Sequence, residues 1–448
     1  MNDTIVAIST TTGVGAISII RLSGPESLEI TDKVFTKKLS DVASHTIHYG
    51  HIKDNENIID EVLVSVMRAP KTFTREDIIE INCHGGTAPT NKVLEVLLKN
   101  GARLAEPGEF TKRAFLNGRI DLLEAEATMD LISSKSEKAR KISINTLTGE
   151  TSNLIKNLRS ELVSIISNIE VNIDYPEYED IEVLTNEKVL PSIKEFEEKL
   201  AYIIKKSEDS KIVKEGIKVG IIGKPNVGKS SLLNSLLEEE KAIVTNIPGT
   251  TRDIVEGNLV LDGIMLNIID TAGIRHTDDV VERIGVERSR STINSSDLVI
   301  FILNNNEELS EEEKELLKEI ENKKKIIVIN KIDLENKLDK KSLNNYIEIS
   351  VKDNIGINKV KEEIKRLFNI GELEVNDMTY LSNARSISLL HKTMYSIKEA
   401  KEEINVGSPI DIVEFSLKDA WSSLGEIIGE TYTDELIDEL FSRFCLGK

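Results

Sequence analysis

The spacing of apolar residues along the chain changes twice. Over residues 1–118, short apolar runs rich in β-branched residues predict strands, and one longer run predicts a helix. The predicted strands are Ile5–Ile8, Ala16–Leu22, Val62–Met67 and Ile78–Ile81, and the predicted helix is Asn91–Lys99. This pattern favours an α+β domain.

From Thr111 onward, apolar residues recur every three or four positions, as they do along one face of a helix. Thr111 is a candidate cap for the first helix, and Tyr175-Pro176 predicts a break before a further helix at residues 191–206. Helical spacing returns at Ala384–Ile404 and Ile410–Phe444. These stretches predict the core of a helix bundle.

Between the two helical regions, strands, loops and helices alternate. Gly257–Leu261 and Ile264–Ile269 flank Asp262-Gly263, which predicts a β-hairpin within a mostly parallel sheet. We therefore expect an α/β domain inserted into a helical domain. The expected boundaries are 1–118 for the α+β domain, 119–215 and 371–448 for the two parts of the helical domain, and 216–370 for the inserted domain.

Composition excludes several classes of protein. Lys plus Arg total 57 and Asp plus Glu total 77, a net charge of −20, which argues against unaided tight binding to a polyanion. A local basic patch or a basic partner can still bring in nucleic acid. The two cysteines exclude a disulfide framework. We find no signal-peptide pattern and no apolar run of roughly 18 residues, so we expect a reduced, cytoplasmic protein without a membrane span.

One motif predicts a phosphate-binding loop. Gly223-Lys-Pro-Asn-Val-Gly-Lys-Ser230 follows a buried-strand pattern and precedes a helical one, which is the context this loop requires. Its backbone amides and the helix amino terminus are expected to bind phosphate oxygens. We expect Lys229 to reach the β- and γ-phosphates and Ser230 to ligate Mg²⁺.

Three further motifs follow in order at the ends of predicted strands. Asp270-Thr-Ala-Gly273 suits a Walker-B aspartate and a γ-phosphate sensor. In Asn330-Lys-Ile-Asp333, the Asp333 carboxylate can accept two hydrogen bonds from guanine, whereas adenine lacks that donor pair. Ser350-Val-Lys352 is placed to contact the base. Together they predict a Ras-like GTP site at the carboxyl edge of the sheet.

The sequence motifs alone do not identify the residue that orients the attacking water. Ras-like switches place a glutamine after Asp-x-x-Gly, but Ile274 stands here and cannot orient water. Thr245–Asp253 has the position of switch I, in which Thr250 or Thr251 can close on Mg²⁺. The side-chain carbonyl of Asn226, with switch I carbonyls, can hold a monovalent cation, and this cation would stand where other GTPases have an arginine finger. The candidates for hydrolysis are Arg252, Arg275, Glu282 and Arg283.

The motifs resemble those of a known family. Gly223–Ser230, Gly249–Asp253 and Asp270–Gly273 are similar to the TrmE, Era and Der branch of bacterial GTPases. Segments outside this module resemble the MnmE (TrmE) family of tRNA uridine-modification GTPases, so that the resemblance covers the whole chain in order. The segments that carry this resemblance are Asp3–Ala7, Ile20–Gly24, His84–Gly86, Pro107–Gly118 and Cys445–Lys448.

The resemblance implies a function and partners. Members of the family work with an FAD-dependent subunit, MnmG (GidA), as a heterotetramer, and modify carbon 5 of the wobble uridine of tRNA. The amino-terminal domain is implied to bind a tetrahydrofolate derivative, the one-carbon donor, and to form a homodimer; no membrane is involved. The alternative function is a ribosome-assembly or signalling GTPase, although residues 371–448 show no Gly-x-x-Gly loop of a KH module.

The resemblance also implies roles for individual residues. Glu282 matches the water-activating glutamate. The folate contacts are Arg21, Glu80, Arg119 and Lys448; the K⁺ ligands are Asn226, Thr245, Ile247 and Thr250; the Mg²⁺ ligands are Ser230 and Thr251. The expected GTP contacts are Asn226, Val227, Gly228, Lys229, Ser230, Ser231, Thr245, Asn246, Ile247, Pro248, Gly249, Thr250, Thr251, Asp270, Thr271, Ala272, Gly273, Asn330, Lys331, Asp333, Ser350 and Lys352.

The sequence alone leaves two assignments undecided, the folate contacts and the role of Cys445. Arg21 or Arg119 can pair with the glutamyl carboxylates of a folate and Glu80 can accept from a pterin, but surface ion pairs are the commoner role of such residues. Cys445 is either a redox-active or catalytic thiol or a packed, buried one.

Overall fold

The computed structural model describes residues 3–11, 13–174, 186–238, 257–269, 282–368, 370 and 379–447. These residues form two compact units, each made of several segments of the chain. The first comprises residues 1–129, 146–190 and 395–448, and the second comprises 130–145 and 191–394.

A six-stranded sheet forms the amino-terminal part of the first unit. Its strands are β1 (Ile5–Ile8), β2 (Ile17–Ser23), β3 (Thr46–Asp54), β4 (Asn57–Met67), β5 (Ile78–His84) and β6 (Arg103–Leu104). Their order is β3-β4-β5-β2-β1-β6, and every neighbouring pair is antiparallel except β1 and β6. The four predicted strands are confirmed, with β4 beginning earlier than its apolar run.

Helices cover one face of this sheet. The covering helices are α1 (Ser27–Val34) and α2 (Thr87–Lys99), whereas α3 (Glu109–Leu116) packs on the opposite face. Alternate residues of the strands, such as Ile20, Val64 and Ile81, form one buried cluster with α1 and α2. The side chains between them point to the other face, which we call the open face. On it, Phe110 of α3 packs beside β1, whereas the part formed by β2–β5 is largely accessible.

Thr111 is not the helix cap that the sequence predicts. Helix α3 begins two residues earlier, after Gly108, and Thr111 is buried within it. Gly108 has a φ of 70°, and a Cβ there would lie 2.6 Å from the carbonyl oxygen of Phe441. Because only glycine fits this contact, the turn at Gly108 determines where the helix starts.

In the described part of the chain, seven further helices follow α3 outside the second sheet. They are α4 (Leu122–Ser133), α5 (Glu137–Leu147), α6 (Glu150–Asp174), α7 (Asn186–Glu215), α12 (Ala384–Asn405), α13 (Ile410–Ile428) and α14 (Asp434–Ser442). Two of them, α7 and α12, extend beyond their predicted bounds. The prediction of one helical stretch over Ile410–Phe444 is wrong. Gly429, with a φ of 76°, ends α13, and a Cβ there would collide with Leu122 and Phe115.

The second unit contains a doubly wound sheet. Its strands are β7 (Ile217–Ile222), β8 (Gly257–Leu261), β9 (Ile264–Ile269), β10 (Leu298–Asn304), β11 (Lys325–Asn330) and β12 (Tyr346–Glu348). The order is β12-β11-β10-β7-β9-β8, and all pairs are parallel except β8 and β9. The predicted hairpin is therefore confirmed.

Helices cover both faces of the second sheet. They are α8 (Lys229–Glu238), α9 (Glu282–Ser295), α10 (Glu311–Glu319) and α11 (Ile357–Leu367). One cluster joins the sheet to α8 and α11, and the other joins it to α9 and α10. Every residue of the central strand β10 is buried, as expected for a strand covered on both sides. Within the described ranges, no helix has the length and apolar character needed to cross a membrane.

A buried arginine ties the amino terminus of the first unit to α3. Arg113 is fully buried, and its guanidinium pairs with Asp3 at 2.8 Å, Glu76 at 3.1 Å and Glu109 at 3.0 Å. Burial by itself would raise the pKa of Glu109, but hydrogen bonds from Arg103, the Glu106 amide and Arg113 hold it below its usual range.

We expect Glu109→Gln to reduce the free energy of unfolding at neutral pH. We also expect the free energy of unfolding of this variant to fall less than that of the wild type when the pH is lowered. A carboxyl whose pKa is lowered by folding contributes stability above its unfolded pKa and loses it as the pH falls through its folded pKa. Urea unfolding between about pH 3 and pH 7 measures this. The control is Glu106→Gln at an exposed position. The same pH dependence in both variants would contradict the assignment.

Candidate functional site

The phosphate loop joins β7 to α8 through two glycines that no other residue can replace. Gly223 has a φ of 146° and Gly228 a φ of 102°. A Cβ at Gly223 would collide with the carbonyl oxygen of Ile302, and one at Gly228 with the Asn330 side chain. This close packing brings the backbone of the loop to the start of α8, where Lys229 is the first helical residue.

The side chains of the loop lie where phosphates are expected. The Lys229 ammonium donates to the carbonyls of Gly223 at 2.6 Å and Lys224 at 2.8 Å, so it folds back over the loop. Ser230 follows it in the first turn of α8, and Ser231 is exposed. Asn226 is exposed and has a φ of 61°.

Asn330 connects this loop to the base-binding motif. It is 3% exposed at the end of β11. Its Nδ2 donates to the carbonyl of Val227 at 2.7 Å, and its Oδ1 accepts from the Val351 amide at 3.2 Å. The sequence indicates Asn330 as part of a motif, but the contact with Val227 depends on tertiary structure.

Asp333 and Ser350 meet at the other end of the site. The buried Ser350 hydroxyl lies 3.0 Å from a carboxylate oxygen of Asp333 and 3.0 Å from one of Asp353. Asp333 is exposed, so its carboxylate is accessible to a base. The sequence analysis missed Asp353, because its only local signal is its position three residues after Ser350. Lys331, with a φ of 64°, and the exposed Lys352 border this corner.

Several predicted site residues lie outside the described residues. Glu282 and Arg283 begin α9, but their side chains are not described. Strand β9 ends at Ile269, directly before the Asp270 motif. The undescribed positions are Thr245, Asn246, Ile247, Pro248, Gly249, Thr250, Thr251, Arg252, Asp270, Thr271, Ala272, Gly273, Ile274, Arg275 and Lys448.

The first unit brings two of the predicted folate contacts together. Arg21 of β2 and Glu80 of β5 are register partners, and the Arg21 Nε donates to Glu80 Oε1 at 2.8 Å. The guanidinium also lies 5.7 Å from the centre of the Phe110 ring. Both side chains of the pair are 23% exposed. They therefore form a pair at the sheet surface that a ligand can reach.

The carboxyl-terminal tail reaches the same pair. The carbonyl of Gly447 accepts from Ser9 Oγ at 3.2 Å and lies 3.5 Å from Arg21 Nη1. Gly447 has a φ of 85°, and a Cβ there would lie 2.5 Å from the carbonyl oxygen of Ile8. The residue before Lys448 is thus held at Arg21.

Arg119 and Cys445 differ from the other predicted residues. Arg119 is exposed after α3, and within the described ranges no hydrogen bond or ion pair joins it to Arg21 or Glu80. Cys445 is exposed, so the interpretation of it as a buried packing thiol is wrong. Cys83 is the buried cysteine, and burial raises the pKa of its thiol.

The second unit defines a class of protein. A glycine-rich loop between a buried strand and a helix, an Asn-Lys-x-Asp corner and a parallel sheet with one antiparallel edge strand belong together in P-loop GTPases. Such enzymes bind a guanine nucleotide together with Mg²⁺.

Comparison with known proteins extends this class to the whole chain. Residues 4–119 match the family model described as the GTP-binding protein TrmE N-terminus, and residues 122–445 match the MnmE helical domain. The tRNA modification GTPase MnmE of Lactococcus lactis subsp. lactis is 52% identical over 448 residues, covering 100% of this chain and 98% of that protein. That of Bacillus licheniformis is 51% identical over 458 residues, with 100% of both chains covered. The chain belongs to the MnmE (TrmE) family.

A solved structure is similar to part of the chain. The G domain of the FeoB iron transporter of T. maritima is 27% identical, covering 34% of this chain and 98% of that one, with a TM-score of 0.24. This score is too low to support an argument about the fold. The helical-domain match includes the residues after the GTPase module, so the alternative of an Era-like assembly factor is not supported.

We expect Asp333→Asn to weaken GTP binding about 100-fold and to favour xanthosine triphosphate, whose ring carbonyl replaces the exocyclic amine. Competition with a fluorescent GTP analogue measures both affinities. The matched control is Asp353→Asn, which changes the other carboxylate at Ser350. Unchanged GTP affinity in Asp333→Asn would remove Asp333 from the base site.

Proposed function

We propose that this chain is the GTP-hydrolysing subunit of a complex that modifies carbon 5 of the wobble uridine of tRNA. The added group is of the aminomethyl or carboxymethylaminomethyl type, and its one-carbon unit comes from a tetrahydrofolate derivative. The observation that carries the proposal is full-length identity of about 50% with proteins named tRNA modification GTPase MnmE. We further propose that the chain acts in the cytoplasm, on the tRNA of that compartment.

The residues of the phosphate loop bind and orient the triphosphate. The Lys229 ammonium, next to the carbonyls of Gly223 and Lys224, exchanges these for the β- and γ-phosphates. Ser230 and Thr251 would hold Mg²⁺, for which hydroxyl oxygens are suitable ligands. Bound Mg²⁺ neutralises charge on the phosphates.

A monovalent cation is proposed to bind between Asn226 of the phosphate loop and switch I. Asn226 is exposed in the loop, and its side-chain oxygen is a suitable ligand for K⁺. Thr245, Ile247 and Thr250 would complete the ion's coordination from switch I. Glu282 is proposed to orient the attacking water, because Ile274 cannot.

The folate site is proposed for the open face of the first unit. Its contacts would be Arg21, Glu80, Arg119 and Lys448. Support comes from the pair of Arg21 and Glu80 and from the tail residue Gly447, which lies against the same arginine. Glu80 is a carboxylate that can accept hydrogen bonds from a pterin, and the other three contacts would be cations near it.

The assembly is proposed to be a homodimer joined to the FAD-dependent MnmG (GidA) subunit as a heterotetramer. Dimerisation through the amino-terminal domain is supported by the edge strand β3, on which Ile47 is 66% and Tyr49 is 52% exposed. tRNA would bind to the complex. The proposed boundaries are 1–118 for the folate domain, 119–215 and 371–448 for the helical domain, and 216–370 for the GTPase domain.

We expect deletion of Cys445–Lys448 to abolish tRNA modification and weaken 5-formyltetrahydrofolate binding, with GTP affinity unchanged. The tail supplies Lys448 and the Gly447 contact to Arg21. Calorimetry with the folate, with and without GTP, measures this. Arg443→Ala, at an exposed position before the tail, is the control. Equal folate affinity in the truncated and intact chains would exclude the tail from the site.

We expect GTP hydrolysis to be faster in K⁺ than in Na⁺, and Asn226→Ala to remove the difference. The smaller ion does not fit oxygens spaced for the larger one. Steady-state phosphate release in the two salts at equal ionic strength measures this. Asn234→Ala, an exposed asparagine on α8, is the matched control. A rate that does not depend on the ion would argue against a K⁺ site.

A further inference from the structure

A strip of the open face along β5 has a charged group at each end. Glu80 and His84 point to the same side of the strand, because successive side chains alternate between the faces. Glu80 lies beside Arg21, and His84 ends the strand four residues later. At about 3.3 Å per residue, these ends are about 13 Å apart along the strand.

The middle of the strip has apolar borders. Asn82 lies between the two charged ends, with Ile19 of β2 on one side and Leu63 of β4 on the other. Leu63 is 46% exposed, and Asn82 Nδ2 donates to its carbonyl at 3.2 Å. This hydrogen bond holds the Asn82 carboxamide to the sheet. An aromatic ring can therefore rest over Asn82, between the two aliphatic side chains.

A nearly buried carboxylate orients His84. Asp60 of β4 is 9% exposed, and it accepts hydrogen bonds from the His84 ring at Nδ1, 2.6 Å away, and from the His84 amide, 2.8 Å away. The amide of Glu61 donates to the same carboxylate at 2.8 Å. The His84 side chain is 68% exposed, and Nε2 is the ring nitrogen left for a ligand.

The ability of this nitrogen to donate depends on protonation of the ring. The hydrogen bond and the charge of Asp60, with a smaller contribution from Glu61, raise the pKa of His84. Because Nδ1 donates to Asp60, Nε2 is an acceptor in the neutral ring and a donor only in the imidazolium. The protonated ring can thus bind a carboxylate, and the neutral ring repels one.

We propose that His84 binds the glutamate carboxylate of a reduced folate that lies along the strip from Glu80 to His84. This inference rests on the proposed folate function and assigns a subsite within it. The pterin donates to Glu80, the aminobenzoyl ring covers Asn82, and the glutamate carboxylate accepts from His84 Nε2. The order of the three surfaces, acidic, apolar and cationic, is the order of the three parts of the ligand.

The experiment compares two ligands on the full-length protein. Calorimetry is performed with 5-formyltetrahydrofolate and with 5-formyltetrahydropteroate, which lacks the glutamate. We expect His84→Gln to weaken binding of the first about tenfold, the effect of one charge-assisted hydrogen bond, and to leave the second unchanged. His391→Gln is the matched control, since His391 is also an exposed histidine paired with a carboxylate, that of Glu208, but belongs to the second unit.

A pH series gives an independent measurement. In the wild type, the preference for the glutamate-bearing ligand should fall as the pH rises through the pKa of His84. In Asp60→Asn the same fall should occur at lower pH, because the carboxylate that favours the imidazolium is gone. An NMR titration of His84 gives the two pKa values directly and shows that each variant is folded.

The outcomes distinguish failure of the proposed folate function from failure of the His84 subsite. A wild-type protein that binds neither ligand would overturn the folate function itself. Binding of both ligands with equal affinity, or an equal loss for both in His84→Gln, would overturn the His84 subsite and leave the folate function intact. A preference for the glutamate-bearing ligand that does not change with pH would also overturn the subsite.

Discussion

The buried carboxamide of Asn330 holds together the two loops that surround the nucleotide. Its nitrogen donates to Val227 in the phosphate loop and its oxygen accepts from Val351 beside the base corner. Gly228 lies so close to this side chain that a Cβ would displace it. The phosphate loop and the base corner therefore have to form together, because each supplies a hydrogen bond that the buried carboxamide needs. The parallel register of β7, β10 and β11 makes this possible, since it brings the ends of these strands to one edge.

The first unit depends on a different constraint, a sheet whose strands β2–β5 are covered by helices on one face only. Functional side chains are confined to the open face, and they come from strands far apart in sequence. The tail joins them from the other end of the chain, where Gly447 lies against Ser9 and Arg21. A similar long-range contact places Gly108 against Phe441 at the start of α3. A ligand site at Arg21 is thus complete only when both ends of the chain have folded together.

Local sequence patterns determined many of the secondary-structure elements and turns of this protein. The bounds of strand β1, the start of β5, the hairpin at Asp262-Gly263 and the phosphate loop follow from hydrophobic spacing and turn chemistry, because these act between near neighbours. The same signals failed at Thr111 and at the division of α13 from α14. In both places a glycine packs against a distant segment, and no local pattern records that contact.

Tertiary structure alone decided which side chains meet. The pair Arg21–Glu80 depends on strand register, since a shift of one residue would turn a side chain to the opposite face. The pair Asp60–His84 depends on β4 and β5 lying side by side. The sequence indicated Asp333 and Ser350 through their motifs, but it did not indicate Asp353, whose carboxylate shares the Ser350 hydroxyl. The sequence by itself thus determined the class of each element and the type of nucleotide site. The arrangement of partners was decided by packing, because contacts between residues far apart in the chain leave no periodic trace in it.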